Sequence, residues 1–368
     1  MSDVHLRQTL DAVPTYQAGK PAASGIAGQV GFKLSSNENP YPPLPSVLEQ
    51  IRAAAASINR YPDASVGTLR TALSTFLDVP VEHIATGTGS VGILGQIVQA
   101  TCDAGDEVVH AWRSFEAYPI VAGLAGARPV QVAVDDQGRH QLDKIGAAIT
   151  DRTRVVLLCT PNNPTGPALC HEEVEAFLPQ VPSDVLVVID EAYVEFVNDP
   201  AAADGLALYR SHPNVVCLRT FSKAYGLAGL RVGYAIAHAP VAAALRKTAV
   251  TFGVNALAEV AAVASLKAHD ELQDRVADLV SERSRVLHKL QAQGWTVPDA
   301  QGNFIWLPLG TASEAFTVAA DQAGLSLRRF GDEGVRVTIA ESAANDMVLD
   351  IARAFAHAQS DSGNQLSR

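Results

Sequence analysis

The sequence has no surplus of basic residues. It carries 28 lysines and arginines against 39 aspartates and glutamates, a net charge of −11 over 368 residues. Proteins that bind nucleic acid usually present a basic face, so we expect no nucleic-acid partner. Only 18% of the residues are charged and 48% are hydrophobic, which argues against disorder and allows a sizeable core.

Signals for membrane insertion and secretion are also missing. No stretch reaches the roughly 18 apolar residues of a membrane helix, and the nearest one, TAVTFGVNALAEVAAVASL, is interrupted by Asn255 and Glu259. The polar start MSDVHLRQTLDAV has no signal-peptide core. We therefore expect no membrane contact and a cytoplasmic location.

Metal-site spacing is absent as well. The four cysteines form no CxxC pair, and none of the ten histidines falls in an HExxH or H-x-H pattern, so no metal is expected. Cys159 and Cys217 lie in apolar runs and are expected to be buried thiols, which is consistent with a reducing compartment. The G-x-S-x-G elbow of serine hydrolases does not occur.

What the sequence does contain is an alternation of strand-like and helical runs. Residues 1–45 are rich in proline and predict an arm with little regular structure. Residues 46–250 alternate in a way that predicts βαβ units and a mainly parallel α/β sheet. Residues 251–368 change to long helices and short strands, which predicts a smaller α+β domain. The seven predicted strands are HIATGT, EVVHAW, RPVQVAV, TRVVLLCT, VLVVIDE, NVVCLRT and RVGYAIAH.

The stretch RTFSKAYGLAGLRVGY (219–234) carries the chemistry. Lys223 lies on a loop between two apolar strand-like runs. A lone lysine is most often a solvated surface residue. Here Thr220, Ser222 and Arg231 add hydroxyls and a guanidinium, the groups that commonly bind phosphate. An amine beside a phosphate site is what a pyridoxal phosphate enzyme needs.

This stretch resembles the fold-type I pyridoxal phosphate family, in particular its histidinol-phosphate aminotransferase branch. The resemblance implies a large cofactor-binding domain, a small C-terminal domain, bound pyridoxal 5′-phosphate and a homodimer with a shared active site. It also implies amino-group transfer, in which Lys223 holds the cofactor and then moves a proton as general base and acid. The motifs, in the family's order, are LSSNENPYPP (34–43), RYPD (60–63), PNNPTG (161–166), VVIDEAYVEF (187–196), RTFSKAYGLAGLRVGY (219–234) and GVRVTIA (334–340).

Asp190 ends the apolar run VLVVID. An aspartate there can simply be a turn or capping residue, but a carboxylate at the C-terminal end of a parallel strand also points into the crevice where such sheets bind ligands. The resemblance implies that Asp190 pairs with the pyridine nitrogen and that Tyr193 and Asn163 bind the ring's phenolic oxygen. Without its position after TRVVLLCT, PNNPTG would predict only a turn.

The loop TGTGSVG (86–92) admits two interpretations. Its glycines spell the G-x-G-x-x-G of a dinucleotide fingerprint, which would indicate an NAD-dependent oxidoreductase. That fingerprint also needs an acidic residue at the end of the next strand, and EVVHAW ends in Trp112. The resemblance instead implies that Gly89, Ser90 and Val91 grip the cofactor phosphate at a helix N-terminus.

Two aromatic residues have both a structural and a functional interpretation. Phe115, in WRSFEAYP, is either a core residue or, as the resemblance implies, the ring that stacks on the cofactor. Tyr61, in RYPD, either packs beside Pro62 or matches a tyrosine that reaches the cofactor phosphate of the other subunit. If the second interpretation holds for Tyr61, the active site requires a dimer.

Two arginines are candidates for binding the substrate. Arg336 lies within an apolar strand and must find an anion or face water; the resemblance implies that it binds the substrate α-carboxylate. Arg328 matches an arginine that binds the phosphate of histidinol phosphate. Arg329 stands where the family commonly has proline and is expected to be solvated. Tyr16, in the arm, is a candidate for closing the mouth of the site.

The amino donor remains a choice between two family members. The stretches GTGSVGILGQIVQ and WRSFEAYP are more similar to the aromatic amino acid (phenylalanine) aminotransferases, so we favour transfer between phenylalanine or tyrosine and 2-oxoglutarate. The alternative is histidinol-phosphate aminotransferase of histidine biosynthesis. More remote are a phosphate-bearing amino acid decarboxylase, an NAD-dependent oxidoreductase, and a cofactor-sensing domain of a transcription factor, for which the 45-residue arm cannot supply a DNA-binding domain.

Overall fold

The computed structural model describes residues 4–22 and 31–365. Within these ranges the chain forms twelve strands, many of them continuous in Val, Ile and Leu, as strands covered on both faces usually are. In chain order they are β1 (Phe32–Lys33), β2 (Ile84–Gly87), β3 (Glu107–Trp112), β4 (Arg128–Ala133), β5 (Thr153–Cys159), β6 (Leu186–Asp190), β7 (Val215–Thr220), β8 (Gly233–Ile236), β9 (Phe304–Leu307), β10 (Leu325–Ser326), β11 (Arg328–Phe330) and β12 (Gly334–Thr338).

Twelve α-helices lie in the same ranges, together with several single turns of 3-10 helix. Prolines occupy the first turn of the first and eighth helices, where the missing N–H has no helical partner to lose. The helices are α1 (Pro45–Ala54), α2 (Gly67–Leu77), α3 (Gly89–Thr101), α4 (Ala117–Ala125), α5 (Leu142–Ala147), α6 (His171–Phe177), α7 (Gly205–Ser211), α8 (Ala239–Thr248), α9 (Ala256–Lys267), α10 (His269–Ala292), α11 (Ser313–Gln322) and α12 (Ser342–Gln365).

The seven strands predicted from the sequence form one sheet, in the order β2-β8-β7-β6-β5-β3-β4. Only β8 runs antiparallel to its neighbours, so the predicted, mainly parallel α/β sheet is confirmed. Alternate residues of β6 feed two cores: Val187 and Ile189 pack in one hydrophobic cluster and Val188 in the other. The sheet is therefore covered on both faces, and ligand access is left to its edges and to the ends of its strands.

A second, three-stranded antiparallel sheet has the order β11-β12-β9. The short strands predicted after residue 300 are thus present. In this sheet Arg328 of β11 lies directly opposite Arg336 of β12, so both candidate substrate arginines come from neighbouring strands.

The N-terminal arm has more structure than the sequence predicted. Its two-residue strand β1 pairs in parallel with β10, and Ser35 Oγ donates to the Lys20 carbonyl. At the other end, the closing helix α12 extends to Gln365. The arm is thereby tied to the C-terminal part of the chain, and this pairing brings residues 35–38 close to Lys223.

Candidate active site

The candidate site is a cleft where the C-terminal ends of β5, β6 and β7 face β11 and β12. Most of the residues singled out from the sequence line it, although they are scattered over more than 300 positions. The predicted residues that line the cleft are Tyr16, Ser90, Val91, Phe115, Asn163, Asp190, Tyr193, Thr220, Ser222, Lys223, Arg231, Arg328 and Arg336.

Lys223 follows β7, in the loop predicted for it. Its Nζ donates to the backbone carbonyls of Ser36 and Asn37, both at 3.2 Å. Burial away from water lowers the pKa of the Lys223 amine to about 7, and the nearby Arg336 guanidinium is the second cause of this shift. A large fraction of this amine is therefore uncharged at neutral pH, which is the form that reacts with a carbonyl.

Asp190 is buried at the end of β6. Its Oδ2 accepts a hydrogen bond of 2.8 Å from the Tyr118 hydroxyl, while Oδ1 is buried without a hydrogen-bond partner among the described residues. Burial raises the pKa of the Asp190 carboxyl to about 6. A buried carboxylate oxygen without a partner is costly, so the site fits a ligand that presents a cationic N–H there.

A cradle suited to a phosphate lies at the N-terminus of α3. Gly89 has φ +76°, and a Cβ at this position would collide with the Arg231 guanidinium. Arg231 Nη1 contacts Ser222 Oγ at 3.3 Å, and Thr220 Oγ1 donates to the same oxygen at 3.0 Å. Backbone N–H groups at a helix start, two hydroxyls and an arginine form a typical anion site.

Tyr193 and Asn163 also line the cleft, and both are buried. The Tyr193 hydroxyl accepts from Asn37 Nδ2 at 3.0 Å, and burial raises the pKa of that hydroxyl. Asn163 Oδ1 accepts from Arg336 Nη1 at 2.6 Å. The two side chains are thus held in place by partners outside their own motifs.

The two opposed arginines have different partners. Arg336 donates through Nη1 to Asn163 and through Nη2 to the Ser35 carbonyl at 2.7 Å, and its buried Nε has no hydrogen-bond partner among the described residues. Arg328 Nη2 donates to Glu116 Oε2 at 2.6 Å. The next residue, Arg329, pairs with Glu314 at 3.3 Å and Asp332 at 3.1 Å. The sequence had predicted a solvated side chain, whereas the structure shows an ion-paired one.

Two aromatic residues that the sequence singled out have different environments. Phe115 lines the cleft and makes an edge-to-face contact with Tyr118, with ring centroids 5.6 Å apart. Tyr61 does not line the cleft of its own chain: it is 83% exposed and stacks on Phe252 with a centroid distance of 4.7 Å. The structure of one chain therefore does not unite Tyr61 with the other predicted site residues.

Sheet order excludes the dinucleotide interpretation of the loop before α3. The fingerprint belongs to a βαβ unit whose second strand lies beside the first and carries the ribose-binding acid. Here β2 and β3 are separated by β8, β7, β6 and β5. The end of β3 is thus too far away to complete a dinucleotide site with this loop.

Several residues of the site were missed from the sequence. Tyr118 holds Asp190, Asn37 contacts both Tyr193 and Lys223, and Glu116 pairs with Arg328. Tyr118 and Glu116 lie within WRSFEAYP and Asn37 within LSSNENPYPP, so the motifs gave their neighbourhood but not their partners.

The seven-stranded sheet, with the Lys223 loop after β7, has the architecture of fold-type I transferases. A family model described as aminotransferase class I and II matches residues 30–351. The chain therefore belongs to this family and is an aminotransferase.

Named relatives share most of the chain. A Streptomyces coelicolor protein named aromatic amino acid aminotransferase is 59% identical over 350 residues, which cover 95% of this chain and 97% of that protein. A Thermobifida fusca protein of the same name is 53% identical over 351 residues, with 95% and 97% covered. The structure of histidinol-phosphate aminotransferase from Sinorhizobium meliloti, in complex with pyridoxal-5′-phosphate, matches with a TM-score of 0.83 at 29% identity, covering 90% of this chain and 92% of that one.

The described residues contain neither a membrane-spanning helix nor a metal-binding cluster. No helix within 4–22 and 31–365 is long and apolar enough to cross a bilayer. Over the same residues, His, Cys, Asp and Glu side chains form no group of three or more that could hold a metal ion.

Proposed function

We propose that this aminotransferase uses pyridoxal 5′-phosphate to move an amino group between an aromatic amino acid, phenylalanine or tyrosine, and 2-oxoglutarate. The observation that carries the cofactor assignment is that one cleft contains two groups. They are the Lys223 amine, with its pKa lowered to about 7, and a buried carboxylate oxygen of Asp190 without a hydrogen-bond partner among the described residues. An aldehyde and a protonated pyridine nitrogen would satisfy both groups at once.

The other residues of the candidate site suit the remaining groups of this cofactor. Gly89, Ser90 and Val91 at the start of α3, together with Thr220, Ser222 and Arg231, would hold its phosphate. Asn163 and Tyr193 would contact its phenolic oxygen, and the face of Phe115 would support the ring. The bound cofactor would supply the electron sink for breaking a bond at the substrate α-carbon.

The chain's own residues then divide the work of the reaction. With the cofactor bound, Lys223 Nζ would take the proton from the substrate α-carbon as a base and would then return it as an acid. Asp190, ionised above about pH 6, would favour a protonated pyridine nitrogen in the bound cofactor. Arg336 binds the α-carboxylate and fixes which hydrogen faces Lys223.

The aromatic donor is favoured by relatives whose names specify it, at 46–59% identity over at least 94% of this chain. Histidinol phosphate is the second candidate, because Arg328 lies in the cleft and the S. meliloti relative carries that name at 29% identity. The two donors differ in charge: phenylalanine has an α-carboxylate and an apolar ring, whereas histidinol phosphate has a distal phosphate and no carboxylate.

A donor panel separates the two candidates. Holoenzyme is mixed in single turnover with phenylalanine, tyrosine or histidinol phosphate, and the loss of the cofactor's visible absorbance is followed. We expect the aromatic donors to react with specificity at least about tenfold above histidinol phosphate, which corresponds to about 1.4 kcal/mol. The reverse order would transfer the assignment to histidinol phosphate.

We also propose a homodimer with a shared site, because Tyr61 is exposed on its own chain. We further propose that the enzyme is cytoplasmic, since the four cysteines are all free thiols. The proposed organisation keeps an arm at 1–45, a large domain at 46–250 and a small domain at 251–368. The pairing between β1 and β10 supports an arm that packs against the proposed small domain.

A further inference from the structure

Glu116 and Arg328 form an ion pair inside the candidate active site. Glu116 precedes α4 and Arg328 lies on β11, 212 positions later, yet Arg328 Nη2 and Glu116 Oε2 are 2.6 Å apart. Their side chains are 25% and 13% exposed, and both line the cleft. A pair so withdrawn from water keeps more of its attraction than one on the surface.

The facing arginine has no such partner. Arg336 donates to two neutral oxygens, on Asn163 and Ser35, and its Nε is unpartnered among the described residues. Of two arginines that stand opposite each other on adjacent strands, one charge is therefore balanced by the protein and the other is left for the substrate. The opposed pair of arginines therefore presents one unbalanced positive charge, which matches one carboxylate.

The walls near the ion pair are aromatic. The Phe330 ring centroid lies 5.3 Å from Arg328 Cζ and 5.7 Å from Arg336 Cζ, and Phe115, which directly precedes Glu116, also lines the cleft. A neutralised Arg328 beside two aromatic rings is compatible with an uncharged side chain. An unpaired arginine at the same place would lose its hydration when such a side chain arrived.

We propose that Glu116 is a specificity-determining residue that sets the charge class of the substrate side chain. By holding Arg328, it favours substrates with one carboxylate and an uncharged side chain. An anionic side chain, such as the distal carboxylate of 2-oxoglutarate or a phosphate, binds Arg328 only after displacing Glu116. This inference rests on the proposed function for the identity of the substrates, but its charge argument concerns the cleft itself.

Two non-reacting analogues test the charge argument without turnover. Glutarate carries two carboxylates, and 3-phenylpropionate carries one carboxylate and a ring. Their dissociation constants are measured by calorimetry on the holoenzyme. Glu116→Gln keeps the shape of the side chain but removes its charge. We expect the preference for glutarate over 3-phenylpropionate to rise by about tenfold or more, the size of one charge-assisted hydrogen bond.

A matched control is available on the neighbouring arginine. Glu314 pairs with Arg329 at 3.3 Å and lies outside the cleft, so Glu314→Gln removes an arginine's carboxylate partner without touching the site. The ratio of the two dissociation constants should stay within about twofold of wild type, the range of surface substitutions. A change as large as that in Glu116→Gln would mean that general surface charge controls the ratio.

The double substitution guards against a misfolded single variant. With Arg328→Ala already present, adding Glu116→Gln should leave the ratio unchanged, because the arginine it acts through is gone. An unchanged ratio in Glu116→Gln alone, or an equal effect with and without Arg328, would overturn the proposal.

The outcome is independent of the donor assignment. If phenylalanine and tyrosine fail as donors in the wild type while the analogue ratio still shifts, the proposed function fails and the role of Glu116 stands. If aromatic donors react and the ratio does not shift, the reverse holds. Glutamate and histidinol phosphate half-reactions, which should gain relative to phenylalanine in Glu116→Gln, give the kinetic counterpart.

Discussion

Lys223 is the residue on which the proposed chemistry depends, because it is the amine at the floor of the cleft. Lys223→Ala should lower the amine half-reaction by about 100-fold or more, since a positioned base contributes about 10²–10⁴ in rate. The measurement is single turnover with phenylalanine, with circular dichroism to verify folding. The exposed Lys144 provides a control, and turnover of Lys223→Ala near the wild-type rate would eliminate the mechanism.

The buried amine also predicts a pH dependence of stability. Its pKa is about 7 in the folded chain, against 10.5 as the ordinary value, so between these pH values the unfolded chain binds more protons and the free energy of unfolding rises with pH. In the cofactor-free protein, Lys223→Met should therefore be more stable than wild type at pH 7, by on the order of a few kcal/mol.

That advantage should shrink as the pH rises towards 10.5, because the amine is then neutral in the folded chain and half neutral in the unfolded chain. Urea midpoints at pH 7, 8.5 and 10 measure it, with Lys144→Met as the surface control. A difference that is the same at all three pH values would mean that Lys223 is not desolvated in the folded chain.

Asp190 should act through its charge. Asp190→Asn keeps the size of the side chain and its contact with Tyr118 but removes the negative charge proposed to face the pyridine nitrogen. Bound cofactor should remain visible, while proton abstraction slows by about 100-fold or more, as for other preorganised electrostatic groups. The rate is read from stopped-flow absorbance with phenylalanine. Activity within a factor of two of wild type would make Asp190 a structural residue only.

Local sequence pointed to the candidate reactive residues but not to the residues that hold them. Lys223 and Asp190 stand in distinctive runs at strand ends, whereas Tyr118 and Glu116 are identified as site residues only by partners 72 and 212 positions away. A hydrogen bond between distant residues leaves no periodic trace in either segment. The contacts of Tyr118 and Glu116 could therefore be identified only from the three-dimensional structure.

At the scale of elements, the strands were predictable and their order was not. Apolar runs, several of them continuous, predicted all seven strands of the large sheet, because burial on both faces demands such runs in its central strands. The place of β2 beside β8, far from β3, comes from long connections and leaves no local signal. For that reason the glycines of the loop before α3 fitted both a dinucleotide and a phosphate site; the missing acid at the end of β3 disfavoured the dinucleotide, and sheet order then excluded it.

The opposed strands β11 and β12 carry a prediction that discriminates between substrates. If the donor is aromatic, Arg336→Ala should impair both half-reactions, because phenylalanine and 2-oxoglutarate each present an α-carboxylate. Loss of a buried bidentate contact costs about 2–5 kcal/mol, or a factor of tens to thousands. Arg328→Ala should instead reduce specificity for 2-oxoglutarate far more than for phenylalanine.

Single-turnover spectra of each variant with each substrate measure these effects. If histidinol phosphate is the donor, Arg328→Ala will damage the amine half-reaction severely. A phenylalanine half-reaction unaffected by Arg336→Ala would falsify the role assigned to that arginine.

At the scale of the whole molecule, one exposed apolar surface is unexplained by a single chain. Tyr61, Val250 and Phe252 are exposed by 83%, 72% and 41%; Tyr61 stacks on Phe252, and Val250 lies in the same turn as Phe252. Clustered exposed apolar residues commonly mark a protein interface. A second copy of the chain, placed so that Tyr61 enters its cofactor site, would cover this surface and complete that site.

Subunit mixing tests the shared site directly. Tyr61→Phe should weaken cofactor retention in both sites of its homodimer, and Lys223→Ala should inactivate both sites of its own. In a mixed dimer, however, the site on the Tyr61→Phe chain keeps its own Lys223 and receives an intact Tyr61 from the other chain. Co-refolding the two impaired proteins should therefore raise activity above the average of the parents, by up to about one quarter of wild type, since half of the dimers are mixed and each has one intact site. Sedimentation should show a homodimer throughout, and activity no greater than the average of the two parents would mean that each chain builds its site alone.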